Sequence, residues 1–200
     1  MTTTLNPADK NVQVTLSGGN LTASITTDSG HPGAVRATAA ITSGKIQFEV
    51  SIDTLAGFIC VGLMTSTGDL GDIVGAGVGI GLYDLGFSSQ IFSGGVAGDE
   101  FIGALDGSII GVNVDESAEK CWFSVDGVFP DGHDPTTGDG GYDISSLLAV
   151  DCYPAVGADV NNFGSVLTIN FGATPFSYPT SGFSGLDGTE TTWVPKLVWF

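Results

Sequence analysis

Basic residues are scarce: five Lys and Arg stand against 22 Asp and Glu, giving a formal charge of −17. A surface this negative repels phosphate backbones, which argues against nucleic acid as a partner. Long apolar runs are missing too. None approaches the length of a membrane span, so no membrane contact is expected. The opening MTTTLNPADK has neither a basic start nor an apolar h-region, so no signal peptide is expected. Cysteine is limited to Cys60, Cys121 and Cys152, each in an apolar strand-like context and no pair at metal-ligand spacing. Buried free thiols in a protein folded under reducing conditions account for them, and the sequon at Asn20 then means little. Helical periodicity is almost absent.

What is present in quantity is glycine (31) and phenylalanine (12), with 42% apolar and 14% charged residues. That composition is globular, and with so many turn residues it points to a single all-β domain. The clearest element is KIQFEVSID, 45–53, where Ile46, Phe48, Val50 and Ile52 alternate with Lys45, Gln47, Glu49, Ser51 and Asp53. Strict period-2 alternation predicts a strand with one wet face. VQVTL and LTASI flank SGGN as a hairpin; SIIGVNV and KCWFSV flank DESAE as another. GFICVGLM is apolar on both faces, as a strand between layers would be. A long loop follows from 130 to 143, and LAVDCYPAVG and SVLTINF supply the last strands. About a dozen short strands joined by turns predict a two-sheet antiparallel β-sandwich or jelly roll.

Five segments carry a resemblance: SGKIQFEV (43–50), VGL (61–63), GSIIGVNVDESAEKCWFSVDG (107–127), CYPAVG (152–157) and NFGATPFSYPTSGF (170–183). In this order they resemble SPRY domains, in the form found in phage and prophage particle proteins. The similarity runs over residues 5–185. Ile46-Gln47 replaces the usual aromatic after Gly44-Lys45, and Asp126-Gly127 replaces an asparagine-glycine turn; both keep the strand and turn chemistry. The resemblance implies a concanavalin A-like sandwich and a recognition module without catalysis, whose edge loops bind a partner.

Candidate loop residues are His31, Asp69, Tyr83, Asp84, Phe87, Asp131, His133, Asp134 and Tyr142, since rings near carboxylates suit sugars as well as peptides. GAGVGIG, 75–81, is not followed by the helix that a dinucleotide loop needs. It reads as a strand with a bare glycine face, to be met by an aromatic of the domain or by another subunit. Asp115, Glu116 and Glu119 sit in a hairpin turn and not across a cleft, so a glycosidase pair is not expected there. Asp131, Asp134, Asp139 and Asp143 could offer hard oxygen ligands to calcium, although their spacing fits no EF-hand; neither a metal nor a cofactor is expected.

The segment 170–183 is expected to be a seam, with Phe176, Tyr178 and Phe183 covering the open side of the sandwich. Beyond the domain at 1–185 lies the tail 186–200, with Trp193, Val194, Leu197, Val198, Trp199 and Phe200. Such a β-prone apolar end must be paired, on its own sheet or against a neighbouring subunit, which leaves a homo-oligomer open. The expected function is a non-enzymatic structural or decorating protein of a phage-like virion, assembled in the host cytoplasm and contacting particle subunits. Two other readings stand beside it: a host-adhesion protein gripping a surface glycan, and an intracellular peptide-binding adaptor.

Overall fold

The computed structural model describes residues 2–27, 30–84, 86 and 88–188. Its strands are β1 (Leu5–Lys10), β2 (Val14–Ser17), β3 (Thr22–Thr26), β4 (Gly33–Ala37), β5 (Lys45–Thr54), β6 (Ile59–Met64) and β7 (Gly79–Asp84). They continue as β8 (Ser88–Ser93), β9 (Val96–Ile102), β10 (Ile109–Asp115), β11 (Lys120–Val125), β12 (Tyr142–Asp143), β13 (Tyr153–Ala158) and β14 (Phe163–Asn170). A single helical turn, α1 (Ser145–Leu148), precedes β13.

Two seven-stranded sheets result, in the orders β1-β4-β13-β6-β7-β8-β9 and β12-β11-β10-β5-β14-β3-β2, with neighbouring strands antiparallel. Phe48, Val50 and Ile52 of β5 and Val61 and Leu63 of β6 point into one continuous core between the sheets. This is the sandwich expected from the alternation. The tail residues Trp193, Val194, Leu197, Val198, Trp199 and Phe200 lie outside the described residues. Leu186 still packs on the core, and Asp187 accepts from Thr3 N at 2.7 Å, two residues past the expected boundary. Among the described residues no helix is long and apolar enough to cross a membrane.

The outer face of β5 departs from expectation. Gln47 and Glu49 alternate out of the core, yet they are only 1% and 3% exposed. Residues 176–180 cross above them as a strap. Ser177 N and Tyr178 N donate to Glu49 Oε2 and Oε1 at 2.8 and 2.7 Å. Gln47 Nε2 donates to Tyr178 O at 2.8 Å, while Thr180 N donates to Gln47 Oε1 at 2.8 Å. A polar backbone laid over a sheet satisfies these side chains as water would, so a strapped face and a wet face give the same alternation. Phe176 and Phe183 of the expected seam are buried, whereas Tyr178 stays half exposed.

Beside the strap, Trp122 of β11 is buried on the same outer face. Its indole N–H donates to Asp139 O at 2.8 Å, and Phe183 meets the ring edge-on at 6.5 Å. Gly141 lies so close that a Cβ would sit 2.6 Å from Trp122 Cε2.

A second layer also covers β4, β6, β7 and β13. Residues 65–78 pack Leu70, Ile73 and Val74 on Cys60, Met64 and Tyr83 as a small second core. Arg36 anchors them: its Nη1 donates to Thr65 O and Gly68 O at 2.9 and 2.8 Å, and its Nε and Nη2 fork onto Asp9 at 2.7 and 2.8 Å. The bare glycine face is met partly by backbone and partly by an aromatic of the domain. Gly75 and Gly77 precede β7, and Gly81 faces the Val74 carbonyl, which a Cβ would meet at 2.7 Å. At Gly81 the chain's own backbone fills the space, while at Gly75 a Cβ would meet the Phe92 carbonyl and Cβ at 2.7 and 2.9 Å, so an aromatic of the domain covers only part of the face. Cys60, Cys121 and Cys152 are buried and free; burial pushes the Cys60 thiol up to about 12.

Candidate functional site

Register fixes which loops share one end of the sandwich. Gly33 pairs with Ala158, Ala158 with Ile59, Ile59 with Asp84, and Ser88 with Ile102. In the other sheet Thr26 pairs with Phe163 and Ser51 with Ile109. The ends of β3 and β4, β7 and β8, and the connections at 54–58, 102–109 and 158–163, therefore lie together.

This end is tightly framed. Asn162 is fully buried: Ser165 N and Gly164 N donate to its Oδ1 at 2.8 and 3.2 Å, and its Nδ2 donates to Ser165 Oγ and Phe58 O at 2.9 and 3.2 Å. Thr27 Oγ1 accepts from Asn162 N and donates to Asp159 O, both at 2.7 Å. Tyr83 Oη donates to Asp159 Oδ2 at 2.5 Å, and burial followed by this carboxylate raises the phenol well above its ordinary range. Asp84 is fully buried and accepts from Ser89 Oγ (3.0 Å), Ala104 N (2.9 Å) and Gly86 N (3.2 Å). Burial raises its carboxyl above the usual range despite these donors.

On that frame three loops each present an exposed apolar side chain: Phe58 at 43%, Leu105 at 61% and Val128 at 56%. Two aspartates tie the loops together. Asp106 Oδ1 accepts from Leu55 N at 2.5 Å, joining 54–58 to 102–109. Asp126 Oδ1 and Oδ2 accept from Ile109 N at 2.8 Å and Ser108 Oγ at 3.0 Å, joining 102–109 to the turn that carries Val128. Phe58 also packs at 5.9 Å on the Tyr83 ring. Apolar side chains on loops already joined by hydrogen bonds are a contact surface whose backbone needs little ordering on binding.

The residues named from sequence are dispersed. His31 is exposed at this end, just before β4. Tyr83 and Asp84 are buried and their polar atoms are taken up within the frame of this end; Phe87 lies outside the described residues. Asp69 is exposed over the other sheet face, where its Oδ1 accepts from Gly71 N at 2.8 Å. Asp131, His133 and Asp134 belong to the long loop along β11, and Tyr142 to β12 at its end. His133 packs at 5.2 Å on Tyr142, whose Oη donates to Asp99 Oδ2 at 3.1 Å, bridging the sheets at β9.

The calcium set does not assemble. Among the described residues no three His, Cys, Asp or Glu side chains converge on a metal position. Asp134, Asp139 and Asp143 instead accept from Thr136, Thr137 Oγ1 and Ser145 N within their own turns, and Asp131 is exposed beside them. Sequence reasoning missed Phe58, Leu105 and Val128, along with Thr27, Asp106 and Asn162. A signal was available for the first three: each stands within two residues of a turn glycine, Gly57, Gly107 or Gly127.

No family model and no curated protein matches the sequence. Solved structures do. The SPRY domain of human HERC1 superposes with a TM-score of 0.63 at 17% identity, over 82% of this chain and 96% of that one. The fold is that of SPRY domains. The PSpry domain of TRIM65 aligns at TM-score 0.61 and 17% identity, over 85% of this chain and 92% of that one. Stonustoxin aligns at TM-score 0.62 and 14% identity, over 84% of this chain but only 28% of its own length. At these identities the likeness is one of SPRY architecture.

Proposed function

We propose that the chain is a non-enzymatic recognition module that holds a protein partner against the loop end of its SPRY-type sandwich. The observation that carries this reading is three exposed apolar side chains, Phe58, Leu105 and Val128, on loops joined by Asp106 and Asp126 at one end of the sandwich. Apolar groups fixed on a rigid rim lose water on docking without a large entropic cost.

The finer reading is a structural or decorating protein of a phage-like particle, assembled in the host cytoplasm and carried in the virion. The sequence resemblance supports it, and the apolar tail at 191–200 offers a second anchoring segment. The test is co-sedimentation of the full chain with particles. Three proteins are compared: the wild type, Phe58→Asp with Leu105→Asp, and a chain lacking 191–200. The double variant is expected to fold normally and stay in the supernatant. Its full retention in the pellet would sink the loop-end reading. Loss confined to the truncated chain would move the contact to the tail, and a wild type absent from particles would remove the virion.

A further inference from the structure

We propose that the groove between residues 129–136 and the strap is a binding site for a neutral saccharide. It is open, encloses about 380 Å3, and lies beyond the Asp126-Gly127 turn from the loop-end patch. That volume falls at the small end of ligand sites. The proposal is independent of the loop-end reading, and either can fail alone.

The groove contains a prepared stacking surface. Tyr178 lines it and is 42% exposed, while its ring is backed by Gly127, where a Cβ would come within 2.6 Å of Cδ1. Its backbone is pinned on both sides, N–H to Glu49 and carbonyl to Gln47. Gly127 thus packs against the near side of the side chain, and the backbone that carries it is held in place. Such a ring is suited to the apolar C–H face of a pyranose. Phe129 adds a second aromatic wall.

The polar rim selects the ligand's charge. Thr136, Ser177 and Ser181 bring hydroxyls to the lining, and Asp134 brings a carboxylate. Asp134 Oδ1 is occupied by Thr136 N and Oγ1 at 2.8 and 2.6 Å, which leaves Oδ2 to accept from a ligand. These donors from Thr136 hold the carboxyl below its usual range, so it is ionised at neutral pH. No Lys, Arg or His lines the groove, and nothing there can neutralise a phosphate, sulfate or carboxylate ligand. A wholly apolar or proline-rich segment would cover these hydroxyls and the carboxylate without replacing their water. A neutral sugar, with one apolar face and a rim of hydroxyls, matches both halves of the lining.

The test is an array of neutral and acidic oligosaccharides probed with the full chain, followed by calorimetric titration with the best neutral hit and with a polyproline peptide. Binding of at least one neutral oligosaccharide is expected. Tyr178→Ala should weaken it by about tenfold or more, as loss of a stacked ring does. Because Tyr178 also packs on Gly127, a second variant is needed. Ser181→Arg leaves the strap's hydrogen bonds intact and should abolish the same binding with an unchanged Tm. A blank array, binding confined to acidic glycans, binding of the polyproline peptide alone, or full affinity in both variants would each overturn the proposal.

Discussion

Gly127 packs against the Tyr178 side chain, with a φ of +76° and room for no Cβ, which would fall within 2.6 Å of Tyr178 Cδ1. Two demands meet at this residue: the turn needs a left-handed backbone, and the ring needs a flat base. Gly127→Ala is therefore expected to cost about 1–3 kcal/mol, more than a surface substitution does. Urea unfolding will measure it. A cost near zero would mean that Tyr178 does not rest on the turn.

The strap hangs on two side chains. Glu49→Ala removes the acceptor of both Ser177 N and Tyr178 N. Leaving such donors unsatisfied under the strap costs about 1–3 kcal/mol each. The variant should be destabilised and cleaved by added protease between 174 and 182, while the wild type resists. Equal resistance in the two proteins would show that apolar packing of Phe176 and Phe183 holds the strap without Glu49.

Arg36 makes four hydrogen bonds to Asp9, Thr65 and Gly68. A lysine cannot reproduce that fork. Arg36→Lys is expected to lower stability by about 1–3 kcal/mol, chiefly because buried carbonyls at Thr65 and Gly68 lose donors, since Asp9 is itself 36% exposed. Amide exchange in 65–78 should accelerate more than in the rest of the chain. Uniform acceleration would place the role of Arg36 in global stability and not in anchoring this segment.

Burial raises Glu49 and Asp84 above their ordinary 4.5 and 3.8. A carboxyl that holds its proton more tightly when folded contributes stability below its ordinary value, and loses it as pH rises through the raised one. Self-repulsion within a chain of formal charge −17 acts in the same sense. At Asp115 burial is outweighed by bonds from Ser117, Lys45 and Ala118, so its carboxyl is lowered and its contribution is lost as acid protonates it below 3.8. Tm should accordingly rise as pH falls toward the ordinary carboxylate values and fall again in stronger acid. In Asp84→Asn the climb should be shallower. A wild-type Tm that drops steadily from pH 7 downward would contradict the assignment.

Local order was legible and long-range closure was not. The alternation of 45–53 gives β5, and the glycine turn between VQVTL and LTASI gives the pairing of β2 with β3, because both signals lie within a few residues. The contacts that build the loop end join residues far apart: Thr27 to Asn162, and Leu55 to Asp106. Nothing in a local pattern distinguishes an asparagine that caps a neighbouring loop from one that faces solvent. Tyr83 and Asp84 illustrate the ambiguity from the other side. A tyrosine and an aspartate at a strand end suit ligand contact, yet here Asp159, Ser89 and Ala104 take up their polar atoms.

The strap also sets an order of events during synthesis. Its partners on β5 are made about 130 residues earlier, since Tyr178 N lies 129 positions from Glu49 and Thr180 N lies 133 from Gln47. Until residues 176–180 leave the ribosome, this face must stand in water, since folding domains emerge N-terminus first. Gln47 and Glu49 tolerate that wait, where leucines in their place would invite association. The alternating polarity of 45–53 thus keeps the nascent sandwich soluble until the strap arrives to close it.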